Sequence, residues 1–176
     1  MRPIAKDFQK LKFVIGGYSE GESILWLWYR NNEFLYASYC GKSHLSTQLR
    51  TQGLECAFDT GEIGLRGFVK NLKASPHEKS SSRYTYSLKD CVAPLLKTHQ
   101  IFSLWEALKV HTWQSSYFAP ILDGTQWELT YETNGRTYRI DGSNAYPQQW
   151  ERFMDFLTLF TPKFKEFRDY IINPYG

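Results

Sequence analysis

One serine lies in a pattern that serves nucleophilic catalysis. Residues 17–21 read GYSEG, which matches the G-x-S-x-G turn that exposes a catalytic serine between a strand and a helix. The stretch that follows, 23–30, reads SILWLWYR and indicates a strand, whereas the turn of a hydrolase must lead into a helix. A hairpin loop explains the same glycines. A small serine hydrolase that uses Ser19 is therefore retained only as an alternative.

Histidines and carboxylates, which also carry catalytic chemistry, are dispersed. Zinc sites normally place two ligands within about five residues of each other, and none of the four histidines has such a neighbour: His44, His77, His99 and His111. Four carboxylates flank one hairpin pattern: Asp123, Glu128, Glu132 and Asp141. We expect the two glutamates on the polar face of a strand and the two aspartates in turns, where aspartate binds backbone amides. The sequence predicts no catalytic set, no metal site and no cofactor, which favours a protein that is not an enzyme.

The strongest bias in charge lies between residues 66 and 109. This segment carries eight basic and three acidic residues, a balance of +5, whereas the whole chain carries only +3. A basic surface with exposed rings can follow a phosphate backbone and stack on bases, although a solvated face rich in lysine explains the same composition. We predict that a surface for a partner protein or a nucleic acid is formed by these residues: Arg66, Lys70, Lys73, Lys79, Arg83, Tyr84, Tyr86 and Lys89.

The most regular pattern in the chain spans residues 121–160. Apolar and polar residues alternate from Trp127 to Tyr131, which predicts a strand with one buried face. Asn134-Gly135 is the dipeptide that a type I′ hairpin turn requires, and a return strand follows it. Apolar residues then recur at helical spacing: Trp150, Phe153, Met154 and Leu157. The segment predicts a ββα unit whose helix packs on the hairpin.

An earlier group of strands is indicated near the N-terminus. Segments 11–15, 23–30 and 33–40 predict an antiparallel meander of three strands. The middle segment is apolar at successive positions, which is typical of a strand covered on both faces.

Between the meander and the hairpin the pattern is weaker. A strand or loop near 54–58 and a short helix near 65–72 both fit the residues, and the polar, serine-rich stretch 74–83 predicts a mobile loop. The spacing of apolar residues predicts a stronger helix over 102–117, with Ser103 as its N-cap.

The sum of these elements is one α+β domain over residues 1–176. It has an antiparallel sheet of roughly five strands, made of the N-terminal meander plus the C-terminal β-hairpin, with three or four helices packed on one side. Aromatic residues are 17% of the chain, which predicts a core built on large rings, and the length needs no metal or disulfide to stabilise such a core.

Two motifs of the central unit resemble those of a known group of sequences. The stretch from Trp113 to Tyr117, then DGTQWEL from Asp123 and GSNAYP from Gly142, is similar to a family of uncharacterised bacterial and mobile-element proteins. That family shares a W-x-x-x-Y, D-G-T-Q-W-x-L and G-S-N-A-Y-P pattern. The resemblance implies the fold of the central unit and carries no activity.

Cysteine usage and hydropathy indicate the compartment. The three cysteines, Cys40, Cys56 and Cys91, are an odd number without a C-x-x-C spacing. No apolar run has the length of a signal peptide or a membrane span. We expect a cytoplasmic protein with reduced thiols and no membrane partner; the sequence does not indicate its oligomeric state.

These patterns favour a binding protein that acts by occupying a macromolecular partner. The excess of aromatic residues, which often anchor protein interfaces, supports a protein partner. A concrete form is an inhibitor or immunity-type protein, for example a phage-encoded, anti-CRISPR-like blocker of a nuclease effector. The alternatives are an RNA or single-stranded DNA binding protein that uses residues 66–109, and the hydrolase that uses Ser19.

Overall fold

The computed structural model describes residues 8–17, 21–30, 33–41, 96–121, 124–161, 164–165 and 167. The strands in this part of the chain are β1 (Lys10–Gly17), β2 (Gly21–Arg30), β3 (Glu33–Gly41), β4 (Ser116–Phe118), β5 (Thr125–Thr133) and β6 (Arg136–Ser143). Its helices are α1 (Thr98–Ala107) and α2 (Trp150–Thr158), and a single 3-10 turn spans Val110–Thr112.

All six strands belong to one sheet, with the order β3-β2-β1-β5-β6-β4. The predicted meander and hairpin meet through the β1–β5 pair, and the five long strands are antiparallel to their neighbours. The short strand β4 runs parallel to β6, so the sheet is mixed and the prediction of an antiparallel sheet is correct for the long strands only. The reason is connectivity: β5 intervenes in the sequence between β4 and β6, and parallel neighbours require such an indirect connection.

The turn between β5 and β6 is the one predicted from the sequence. Asn134 has a φ of 51° and Gly135 has a φ of 68°, as both central residues of a type I′ turn must. The register set by this turn places Glu128 opposite Asp141 and Leu129 opposite Ile140, so the apolar residues of both strands share one face.

Both described helices pack on this apolar face, which we call the helix face. Phe13 of β1 lies with its ring centroid 5.9 Å from Trp150 and 5.1 Å from Phe153 of α2. On α1, Trp105 lies 5.4 Å from Tyr131 of β5. The ring of Trp150 also lies 5.0 Å from Trp127 of β5, which confirms the predicted contact of α2 with the hairpin. The segment 65–72, predicted as a further short helix, lies outside the described residues.

The helix α1 differs from its prediction at both ends. It begins at Thr98, where the side chain of Gln100 accepts a hydrogen bond of 2.8 Å from the backbone N–H of Lys97. Ser103 lies inside the helix and donates to the carbonyl of His99 (2.8 Å) instead of capping. The helix ends at Ala107, and Lys109 takes a left-handed φ of 50°, a conformation that cannot continue a helix. Residues 108–117, which were predicted as helix, instead form the 3-10 turn and lead into strand β4.

Strand β2 is buried on both faces, as its composition predicts. Leu25 and Leu27 face the helices, while Trp26 and Trp28 face the opposite side and are also buried. No helix in the described part of the chain is long and apolar enough to span a membrane.

Candidate functional site

Most of the residues predicted to form a site lie outside the described residues. This holds for the basic segment from Arg66 to Lys89, for Ser19 and Asp123, and for His44 and His77. His99 is exposed on α1, and His111 is half-buried in the 3-10 turn. No group of three or more metal-ligating side chains occurs within the described ranges.

A groove of about 600 Å³ lies on the sheet beside strand β4. Residues of β1, β2, β4, β5 and β6 line it, and we call it the sheet groove. Four glycines form part of its lining: Gly16, Gly17, Gly124 and Gly142. Its charged residues, among those described, are Lys12, Glu22, Glu128, Arg139 and Asp141.

Two carboxylates lie side by side in the sheet groove. Glu128 and Asp141 are directly paired across β5 and β6. Glu128 forms an ion pair of 2.7 Å with Arg139 and accepts a hydrogen bond of 3.1 Å from the hydroxyl of Thr130. Asp141 accepts a hydrogen bond of 2.9 Å from the hydroxyl of Ser116 on β4. Each carboxylate is thus oriented by its own partner. Because the side chain of Arg139 is two-thirds exposed, its ion pair contributes little to the stability of the fold and serves mainly to orient Glu128.

The position of Asp141 corrects one expectation. We expected this aspartate in a turn after the return strand, but it lies within β6. Strand β6 continues to Ser143 because β4 provides it with a second neighbour, and Ser116 pairs with Asp141 in that parallel ladder. Glu128 and Glu132 lie on the half-exposed face of β5, as predicted.

Neither histidine nor lysine lies beside the hydroxyl of Ser116 among the described lining residues; its neighbour there is the carboxylate of Asp141. Serine nucleophiles are normally activated by histidine or lysine, and the described lining contains no histidine. Its lysine, Lys12, lies on β1, which is three strand spacings from β4 in the sheet order, or roughly 14 Å.

An apolar side chain stands at the rim of the sheet groove. Phe118 of β4 is 73% exposed, the highest value among the large hydrophobic residues described. Its neighbour Tyr117 points to the helix face and lies 5.8 Å from the ring of Trp127. Alternation along β4 therefore buries one ring and presents the other to solvent beside the charged lining.

The two sequence motifs meet at one end of the sheet groove and fix its shape. Trp127 donates its indole N–H to the carbonyl of Ala145 (2.9 Å). Asn144 donates its side-chain amide to the carbonyl of Ile121 (3.2 Å), and its backbone N–H to Thr125 (2.9 Å). A side chain at Gly124 would overlap Asn144. The motif residues therefore hold the start of β5 against the end of β6, which is a structural role.

Tyr146 belongs to the same motif, and its ionisation makes the stability of this region depend on pH. Burial raises the pKa of the Tyr146 phenol above its usual 10.0, and a hydrogen bond with Thr125 lowers the pKa in part. Because the folded state holds this proton more tightly, the resulting stabilisation is complete below about pH 10 and is lost as the pH rises through the folded-state pKa.

We expect Tyr146→Phe to lower the free energy of unfolding by about 1 kcal/mol at pH 7, because the hydrogen bond is lost. The difference in the free energy of unfolding between the variant and the wild type should become smaller above pH 10, because only the wild type has this phenol to ionise. Urea denaturation of both proteins at neutral and alkaline pH measures the difference, since other titrating groups affect both alike. A difference that stays constant or widens would contradict the assignment.

The sequence did not single out most of the residues that form the sheet groove. Lys12, Arg139, Ser116 and Phe118 are ordinary strand residues, and the last two lie at or just beyond the end of a stretch that was predicted as helix. The exposed face of β5, with its alternating glutamates, was the available signal.

Comparison with known protein families, with curated proteins and with solved structures finds no match for this chain.

Proposed function

We propose that this chain is a non-catalytic binding protein that acts by occupying a partner protein, and that the sheet groove is its docking surface. The observation that carries the proposal is Phe118, a large ring that is 73% exposed at the rim of a polar groove. Burying a phenylalanine in an interface contributes about 1.5–3 kcal/mol. Aromatic anchors beside oriented polar groups are typical of the residues that dominate binding energy.

The charges of the sheet groove favour a protein over a nucleic acid at this surface. Its described lining carries three carboxylates and two cationic side chains. A surface for a phosphate backbone needs a clear excess of lysine and arginine. Protein interfaces instead use oriented charged groups of both signs, which fix the register of the partner and reject wrong partners.

The specific function that we propose is inhibition of the partner protein. A protein that acts by occupancy needs a docking surface and no reaction centre, which is how an inhibitor or immunity-type protein works. A phage-encoded blocker of a bacterial nuclease effector is one example.

The test compares two exposed apolar residues that lie on different faces. Phe118→Asp places a charge at the rim of the sheet groove, whereas Leu104→Asp changes a 45% exposed residue on α1, on the other side of the sheet. Each tagged protein is incubated with a lysate of the cell that carries the gene, and the retained proteins are quantified by mass spectrometry.

We expect the wild type and Leu104→Asp to retain at least one protein in similar amounts. Phe118→Asp should retain at least about tenfold less of that protein. Circular dichroism should show that both variants are folded. Equal retention by Phe118→Asp and wild type would contradict the proposal. Retention of nucleic acid that weakens steeply with salt would instead support the alternative function.

A further inference from the structure

Strand β4 forms an edge of the sheet with part of its backbone unused. The carbonyl of Ser115 accepts a hydrogen bond from Asp141, and the N–H of Ala119 donates to Ser143. Because alternate residues of a strand direct their backbone groups to opposite sides, the N–H and C=O groups of Ser116 and Phe118 point away from β6. Both residues are exposed, so these groups are accessible from solvent.

The side chains of the same two residues line the sheet groove. Ser116 contacts Asp141, and Phe118 stands at the rim. A strand added beside β4 would therefore lay every second side chain over the groove, since side chains alternate between the faces of a sheet. Recognition of this kind takes affinity from the backbone and specificity from alternate side chains.

The balance of charge indicates which side chains fit. Of the two neighbouring carboxylates in the sheet groove, Glu128 on β5 is paired with Arg139, while Asp141 on β6, beside β4, accepts a hydrogen bond from the hydroxyl of Ser116. Carboxylates outnumber cationic groups in the described lining. An incoming lysine or arginine would meet an acidic partner at Asp141, and an apolar residue two positions away, on the same face of the added strand, would meet Phe118.

We infer that the occupant of the sheet groove is an extended basic segment of the partner protein, which adds as a strand to the free edge of β4. The inference rests on the proposed function and names its mode of recognition. Pro120, which has no N–H, follows β4 and limits the paired stretch to about three residues. Contacts of the side chains with Asp141 and Phe118 must therefore supply much of the affinity.

The first test uses a defined peptide with the ¹⁵N-labelled full-length chain. The probe is an acetylated and amidated heptapeptide of sequence TKTVTKT, which places lysine and valine on the same face of a strand, and the matched control has glutamate in place of lysine. We expect the lysine peptide at millimolar concentration to shift the amide signals of Ser116 and Phe118 and to slow their hydrogen exchange. Unchanged Ser116 and Phe118 signals, or equal shifts with the glutamate peptide, would overturn the inference.

The second test separates backbone from side chain at one position. Ser116→Pro removes the outward N–H, whereas Ser116→Ala keeps it and removes only the hydroxyl. We expect the proline variant to bind the lysine peptide about fivefold more weakly than the alanine variant. Equal affinities would overturn strand addition. If the lysate proteins still distinguish Phe118→Asp from wild type, the groove remains a docking surface and only its mode of recognition fails.

Discussion

Replacement of Trp150 by alanine is expected to lower the free energy of unfolding by about 3–5 kcal/mol. Trp150 is fully buried at the start of α2, and its ring centroid lies 4.6 Å from Tyr146 and 5.0 Å from Trp127. Its indole N–H donates to the carbonyl of Phe167 (3.3 Å). Alanine would leave a cavity among these rings and would remove the hydrogen bond to Phe167, and both losses cost free energy.

Urea denaturation followed by circular dichroism measures this effect without depending on tryptophan fluorescence. Trp150→Phe should lose less than the alanine variant, because it refills part of the cavity but lacks the N–H. Leu104→Ala, on the exposed side of α1, should stay within about 0.5 kcal/mol of the wild type. A Trp150→Ala protein as stable as the Leu104→Ala control would show that α2 does not anchor the hairpin.

The parts of the fold that the sequence predicted well are those fixed by local rules. Asn134-Gly135 sets the hairpin register, because few other dipeptides adopt positive φ at both positions. The helical spacing from Trp150 onward requires one buried face, and the neighbouring hairpin offers the complementary apolar face. The run of apolar residues in β2 likewise allows only a strand covered on both sides.

The parts that the sequence missed depend on contacts between distant segments. Residues 116–118 are too few to show a strand pattern, and they form β4 only because the edge of β6 lies beside them. Asp141 has the composition of a turn residue, but pairing with both β5 and β4 keeps it in a strand. The sheet groove is made by these pairings, so its residues carried no local signal of their own.

None of the described residues that line the sheet groove belongs to the predicted basic segment. The basic residues from Arg66 to Lys89 lie outside the described residues and remain a prediction. Exposure and charge distinguish the groove: the ring of Phe118 is exposed to solvent, and the oriented carboxylate of Asp141 lies in the same lining. Neither property can be calculated from composition.

Substitution of Gly142 by alanine is expected to destabilise the chain by about 1–3 kcal/mol, because the added methyl group would overlap the buried indole of Trp127. Gly142 lies next to the last residue of β6, opposite Trp127 on β5. To admit a methyl group, the indole must shift, which strains its hydrogen bond with Ala145. Both residues line the sheet groove, so the shift should also weaken partner binding.

A double-mutant cycle with Trp127→Phe separates this steric effect from a general intolerance of alanine. The smaller ring lacks the fused atoms that a side chain at position 142 would meet, so Gly142→Ala should cost less in that background, with a coupling of about 0.5–3 kcal/mol. Gly135→Ala is the matched control: nothing lies near the added methyl group, and its cost of about 1–2 kcal/mol comes from the φ of 68°. Trp127→Phe should leave the cost at Gly135 unchanged. If the cost at Gly142 is also unchanged, the contact between Gly142 and Trp127 does not set the shape of the groove.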